Sequence, residues 1–289
     1  MPNLQTSAAP ATELFYQDTG GTGPAVVLIH GWPLSHRMFE PQVAALTDAG
    51  YRVVSYDRRG FGSSGFPAGG YDYDTFADDL KAVLDELDLR DATLVGFSMG
   101  GGEVARYIGR HGTDRVGKAV LVSAVTPYML KTPDNPDGVE QKVFDDMIEN
   151  LRADRPKFLD GFGKKFVGWG LLDHPVSEEL LRYAWTVAVM AQPGATVECV
   201  RAFGMTDFRD DVRQMTVPTL VVHGGADDIV PPETGGKHAA KLLPNGRLEI
   251  FDGAPHGLTL THTDRFNRLL LDFLGERTTV ASAEAARTV

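Results

Sequence analysis

Gly96-Phe-Ser-Met-Gly100 is the stretch on which the reading of this chain turns. A short apolar run, Thr93-Leu-Val95, precedes it and a helical pattern, Glu103-Val-Ala-Arg-Tyr-Ile108, follows it. A serine between two glycines at a strand-to-helix reversal has the form of a nucleophile elbow. The missing side chains at 96 and 100 let the backbone turn sharply and leave the Ser98 hydroxyl exposed at a helix N-terminus. The unpaired N–H groups of that terminus favour developing negative charge. A glycine-rich loop carrying an ordinary serine is the plainer alternative, and it does not call for a strand before and a helix after.

Two periods alternate outward from the elbow. Ala25-Val-Val-Leu-Ile29, Arg52-Val-Val-Ser-Tyr56, Thr93 to Val95 and Lys118-Ala-Val-Leu-Val122 are too short for helices and read as buried strands. Between the second and third, Phe76, Leu80, Val83, Leu84 and Leu87 form one apolar helix face, with Thr75 and Asp78 spaced like a capping box. Strands alternating with helices predict an α/β fold with a mostly parallel central sheet and helices on both faces. From about 126 to 212 the strand signal stops and helical stretches remain, which predicts an inserted helical cap. The α/β rhythm resumes with Thr219-Leu-Val-Val222 and Arg247-Leu-Glu-Ile-Phe251. A helix presenting Phe266, Leu269, Leu270 and Phe273 then runs to Gly275. Residues 1–289 read as one domain, with 276–289 as a frayed tail.

A serine needs a base to become a nucleophile, and the base needs an orienting acid. Asp227 lies in His223-Gly-Gly-Ala-Asp-Asp-Ile-Val-Pro231, just beyond the run that ends at Val222. His256 lies in Gly253-Ala-Pro-His-Gly257, just beyond Phe251. Both occupy carboxyl ends of expected strands, where sites form in open α/β sheets. Asp228 and Asp252 compete for the acid role, with Asp227 the better placed. His30-Gly-Trp-Pro33 follows the first parallel run, so the backbone N–H of Trp32 joins that of Met99 as an expected oxyanion hole.

The chain has 289 residues, with 28 Lys+Arg against 39 Asp+Glu, a formal charge of −11. That disfavours a nucleic-acid partner, which needs a cationic face. Hydrophobic residues at 43% and charged residues at 23% exclude disordered and fibrous classes. Cys199 is the single cysteine, so no disulfide closes within the chain. The eight histidines lack metal-ligand spacing such as H-E-x-x-H, so neither a metal nor an organic cofactor is expected. No apolar run approaches the ~20 residues that span a bilayer, and the first twelve residues lack a signal-peptide pattern. A cytoplasmic location without a membrane partner is the expectation, and homo-oligomerisation stays open.

Gly60-Phe-Gly-Ser-Ser-Gly65 matches a dinucleotide fingerprint by letter, but Pro67, Gly69 and Gly70 deny it the helix N-terminus that would hold a pyrophosphate. Gly112-Thr-Asp-Arg-Val-Gly-Lys118 lacks the Ser/Thr of a phosphate loop. Asp57, Arg58 and Arg59 read as structural loop pairing rather than a charged site. Phe158, Phe162, Phe166 and Trp169 recur as a helical stripe, mostly core.

Gly96 to Ile108, His30-Gly-Trp-Pro-Leu-Ser35, Tyr56-Asp-Arg-Arg-Gly-Phe-Gly-Ser-Ser64 and Ser123-Ala-Val-Thr-Pro127 together resemble the bacterial cofactor-free haloperoxidase and aryl esterase branch of the α/β-hydrolases. The likeness runs from about Phe15 to Leu274, and the chain order Ser, Asp, His is that of the family. The resemblance implies an eight-stranded core, a cap after Val125, hydrolysis of small carboxylic esters through an acyl-enzyme, and a peracid-forming side activity. It places substrate contacts at Trp32, Pro33, Val125, Met129, Phe162 and Ile229, which suggests small apolar or aromatic esters or acids as substrates. The N-terminal stretch is short for the family's usual first strand. Lactam or amide hydrolysis by the same three residues, and a non-catalytic ligand receptor on the same scaffold, are the competing readings.

Overall fold

The runs with continuous apolar character become strands covered on both faces in the computed structural model, which describes residues 3–276. In chain order the elements are β1 (Asn3–Gln5), β2 (Glu13–Asp18), β3 (Ala25–Ile29), α1 (Glu40–Asp48), β4 (Arg52–Tyr56), α2 (Tyr73–Glu86), β5 (Ala92–Phe97), α3 (Met99–His111) and β6 (Val116–Val122). Four helices follow, α4 (Gln141–Phe166), α5 (Glu178–Val189), α6 (Pro193–Met205) and α7 (Arg209–Gln214). The chain then returns to the sheet with β7 (Thr219–Gly224), α8 (Gly236–Leu242), β8 (Gly246–Phe251), α9 (Leu258–Thr261) and α10 (Thr263–Gly275). No helix among the described residues is long and apolar enough to cross a membrane.

The eight strands form one sheet in the order β1-β2-β4-β3-β5-β6-β7-β8. Pairing is parallel from β4 to β8 and antiparallel where β1 meets β2 and β2 meets β4. The short N-terminal stretch therefore does hold strands, two of them. Leu4 and Leu14 bury opposite each other in register while Asn3, Gln5 and Glu13 are exposed, as an edge ribbon permits, and Phe15 of β2 is buried as well. Along the parallel strands Ile29 pairs with both Tyr56 and Gly96, and Phe97 pairs with Val122. That register brings His30, Asp57, Ser98 and Ser123 to the carboxyl edge of the sheet together.

Two local expectations are corrected. Helix α2 begins at Tyr73, and Asp72 rather than Thr75 is its cap, its carboxylate accepting from the Thr75 N–H at 3.0 Å. An aspartate with a β-region backbone three residues before Thr75 satisfies the first-turn donors before a Thr75 cap is needed. Trp169 is not on the phenylalanine stripe's helix, because α4 stops at Phe166 and Trp169 instead stacks on His174 with ring centroids 4.1 Å apart. Helix α4 is itself broken at Asp154 (φ −154°, ψ 83°), two residues before Pro156, whose ring forbids an unbroken helical turn. The expected tail 276–289 lies outside the described residues except for Glu276.

The charged run Asp57-Arg58-Arg59 is absorbed by structure. Asp57 accepts from the His36 ring at 2.7 Å, and Arg59 forks onto Asp79 at 2.6 and 2.7 Å. Arg58, fully buried, pairs with the fully buried Glu103 of α3 at 2.6 Å and donates to the His30 carbonyl at 2.9 Å. Tyr56 donates its hydroxyl to the other Glu103 oxygen. A buried charge that loses its partner is costly. Glu103→Leu alone should therefore destabilise by ~3–5 kcal/mol, lowering Tm by about 10 °C in a thermal unfolding scan. Arg58→Met added to it should recover part of that loss, and a double variant no more stable than the single would contradict this account.

Candidate active site

The elbow is tight because two backbones touch where side chains would be. A Cβ on Gly96 would lie 2.4 Å from the Gly100 carbonyl oxygen, and one on Gly100 would lie 2.2 Å from the Ile29 carbonyl oxygen of β3. Ser98 itself sits at φ 53°, in the left-handed region that non-glycine residues seldom occupy, at an expected cost of ~1–3 kcal/mol. That backbone twist projects the hydroxyl from the point where β5 ends and α3 begins.

The structure brings three of the expected residues into one hydrogen-bonded row. His256 Nε2 lies 3.0 Å from Ser98 Oγ, and His256 Nδ1 lies 2.7 Å from Asp227 Oδ2. An ionised carboxylate only accepts, so Nδ1 carries the proton and Nε2 is left free to accept from the serine. The second oxygen, Asp227 Oδ1, accepts the N–H groups of Ile229 and Val230, each at 2.9 Å. Burial by itself would raise the Asp227 carboxyl, but the charge and ring hydrogen bonds of His256 and His223 beside it hold it far below the usual carboxylate range. All three residues are nearly closed to solvent, with Ser98 at 6% and His256 at 1% exposure. Asp228 and Asp252, the competing acids, are exposed, and among the described residues the carboxylate that His256 hydrogen-bonds is that of Asp227. The His256 ring is packed between Phe97 and Phe166, each with its centroid 5.1 Å away.

Of the expected oxyanion donors, Met99 follows Ser98 in the chain and Trp32 follows Gly31. Gly31 passes so close that a Cβ there would sit 3.2 Å from Ser98 Cβ. Among the described residues neither the Trp32 nor the Met99 N–H has an acceptor, so both are available to a ligand oxygen. The Trp32 carbonyl likewise accepts nothing. The Trp32 indole points away, donating to the Thr196 carbonyl at 3.1 Å and meeting Phe162 edge to face. His30 steadies this loop as a neutral ring. Burial, reinforced by the Arg58 charge, pushes its pKa down to about 3. Its Nδ1 donates to the Gly31 carbonyl and its Nε2 accepts from the Arg58 N–H.

The six expected pocket positions divide. A groove of about 730 Å³ runs between α4 and the loop after Asp227, with Phe158, Phe162 and Ile229 among its walls. Pro33 and Phe162 line a separate, smaller apolar pocket with Phe166 and Trp185. Trp32, Val125 and Met129 line neither of these two cavities, and all three are 2–3% exposed, as closed to solvent as Ser98 and His256 themselves. The Phe166 contact with His256, the hydrogen bonds of His30 and the place of His223 beside Asp227 are not among the expectations from the sequence. The position of each histidine at the end of a parallel strand was the available signal. No group of three or more potential metal ligands occurs among the described residues.

Residues 24–263 match the alpha/beta hydrolase fold family. Curated relatives include a non-heme chloroperoxidase of Kitasatospora aureofaciens, 45% identical over 91% of this chain and 96% of the relative. A bifunctional esterase/perhydrolase of Acinetobacter calcoaceticus is 40% identical, again over 91% of this chain and 96% of the relative. Among solved structures, a bromoperoxidase from Bacillus anthracis superposes with a TM-score of 0.90 at 47% identity, covering 95% of this chain and all of the other.

Asp227→Asn should lower ester turnover by ~10⁴ with the fold intact, since an amide favours the wrong His256 tautomer. Asp228→Asn should leave turnover within about twofold, since that side chain faces solvent. Steady-state kinetics on both variants decide the assignment, and reversed effects would transfer the acid role to Asp228.

Proposed function

The chain belongs to the alpha/beta hydrolase fold family and is a hydrolase; we propose that it cleaves small carboxylic esters through an acyl-enzyme on Ser98, with peracid formation as a second activity. The observation that carries this reading is the unbroken row from Ser98 Oγ through His256 to Asp227 beside two free backbone N–H groups.

The chemistry follows from that geometry. His256 Nε2 takes the Ser98 proton as Oγ attacks the ester carbonyl carbon, and the new oxyanion is held by the N–H groups of Trp32 and Met99. Asp227 faces the imidazolium that forms and keeps its Nδ1 proton in place. The same Nε2 proton passes to the departing alkoxide. Water, deprotonated by His256, then attacks the acyl-enzyme and releases the acid. Hydrogen peroxide in place of that water yields a peracid, and a carboxylic acid that acylates Ser98 with loss of water supplies the same intermediate. The relatives named as a bifunctional esterase/perhydrolase and a non-heme chloroperoxidase support this pair of activities. We assign the helical insertion, about 126–212, the role of a cap over the serine, since its Phe162 and Phe166 meet Trp32 and His256.

Ser98→Ala should abolish both p-nitrophenyl acetate turnover and covalent labelling by an organophosphate. Label mapped to another serine in the wild-type protein would sink the assignment. A distinct expectation attaches to Pro33. The ring at 33 removes an N–H there, and the unoccupied Trp32 carbonyl is free to accept from hydrogen peroxide as it attacks. Pro33→Leu should lower peracetic acid formation from acetate and hydrogen peroxide relative to p-nitrophenyl acetate hydrolysis. An unchanged ratio in a folded variant would mean that the ring only stiffens the loop.

A further inference from the structure

Asp227 is flanked by two histidines, and only one of them reaches Ser98. The other, His223, is fully buried near the end of β7 and has no part in the steps above. Its Nδ1 accepts the Gly236 N–H at 3.2 Å. In a neutral imidazole the nitrogen that accepts carries no hydrogen, so the proton is on Nε2. That Nε2–H donates to the Val230 carbonyl at 2.8 Å and lies 3.4 Å from Asp227 Oδ2. The ring fits only because positions 235 and 236 are glycines. A Cβ at 235 would lie 2.8 Å from the ring's Cε1, and one at 236 would lie 2.7 Å from Nδ1.

These contacts close a circuit. Val230 gives its carbonyl to His223 and its N–H to Asp227 Oδ1, while Asp227 Oδ2 receives the His256 Nδ1–H. One ring thus fixes the turn that holds the acid, and presents the positive end of an N–H dipole to the oxygen that orients the base. Because the Gly236 N–H sets the tautomer, that donor cannot turn into an acceptor.

We propose that His223 is a positioning residue for this active site: as a neutral ring protonated on Nε2, it locks the Asp227–Val230 turn and so aims the carboxylate that holds His256. The proposal rests on the roles assigned above to Ser98, His256 and Asp227. His223 acts through Asp227 and touches no reacting atom.

Two isosteric substitutions separate this role from packing. The amide nitrogen of His223→Gln reaches the Nε2 position and restores the donor. The shorter side chain of His223→Asn reaches the Nδ1 position, keeping an acceptor for Gly236 but leaving Val230 and Asp227 without their donor. His223→Gln should retain kcat for p-nitrophenyl acetate within about threefold. His223→Asn should lose ~30-fold in kcat with KM changed less than twofold, in the range that outer hydrogen-bond partners and small misplacements produce. Titrating active sites with an organophosphate counts folded protein, so kcat is taken per labelled site and a loss of stability does not masquerade as a loss of rate. Equal kcat in the two variants, or a loss expressed only in KM, overturns the proposal. Wild-type protein that turns over no ester and takes no label at Ser98 would overturn the hydrolase chemistry beneath it, a different result.

Discussion

The Arg58–Glu103 pair is the interaction on which the catalytic edge depends. Arg58 follows β4, Glu103 rides on the helix that leaves the elbow, and the guanidinium also reaches the His30 carbonyl at the end of β3. Three consecutive strand ends of the sheet are thereby tied at one buried point. Desolvating two charges costs several kcal/mol each, which their attraction offsets only with good geometry and further hydrogen bonds. Those are present in the Tyr56 hydroxyl on Glu103 and the Arg58 N–H on the His30 ring. Apolar residues could fill this space, but they would not set the direction of the His30–Trp32 backbone. Here the pair's contribution is to specificity of arrangement more than to stability, which is why it lies beneath the loop that presents the Trp32 N–H.

Close backbone approach is the second constraint, and it runs through the same three strands. Gly96 and Gly100 let α3 start against the Ile29 carbonyl, and Gly31 lets the next loop pass beside Ser98. Any side chain at these points would push the helix, the serine and the loop apart. The strained Ser98 backbone is held by this packing and by hydrogen bonds such as that from its own N–H to the Val122 carbonyl at 2.8 Å. Strain retained at one residue while the surroundings over-determine its position is a pattern of functional sites.

The helical segment between β6 and β7 completes the environment that the sheet begins. Trp32 is anchored by its indole to Thr196 of α6, and Phe162 and Phe166 of α4 meet Trp32 and His256 edge to face. Water is largely excluded from the row of hydrogen bonds, and in such a setting each polar contact is stronger than it would be in solvent. The break in α4 at Asp154 divides the helix, and Phe158, Phe162 and Phe166 all lie on the half beyond it.

The sequence by itself determined the α/β architecture, because short, largely apolar runs of three to five residues alternating with amphipathic helices are best buried as parallel strands covered on both faces. It also singled out Ser98, Asp227 and His256, since each lies just past such a run in residue types that acyl transfer requires. The apolar period could not show the ribbon β1–β2, whose few buried residues, Leu4, Leu14 and Phe15, make no run long enough to read, nor that Asp72 rather than Thr75 caps α2. Which expected pocket residues face open space was also beyond the sequence. Val125, Met129 and Trp32 are as apolar as Phe162 and Ile229, and only packing sets Phe162 and Ile229 along the open groove while the other three are closed to solvent. Above all, the second hydrogen-bond partners of the site, His30 with Arg58 and His223 with Val230, join residues whose pairing depends on strand register and loop closure. A hydrogen bond is directional over a few tenths of an ångström, and no one-dimensional pattern fixes distances on that scale.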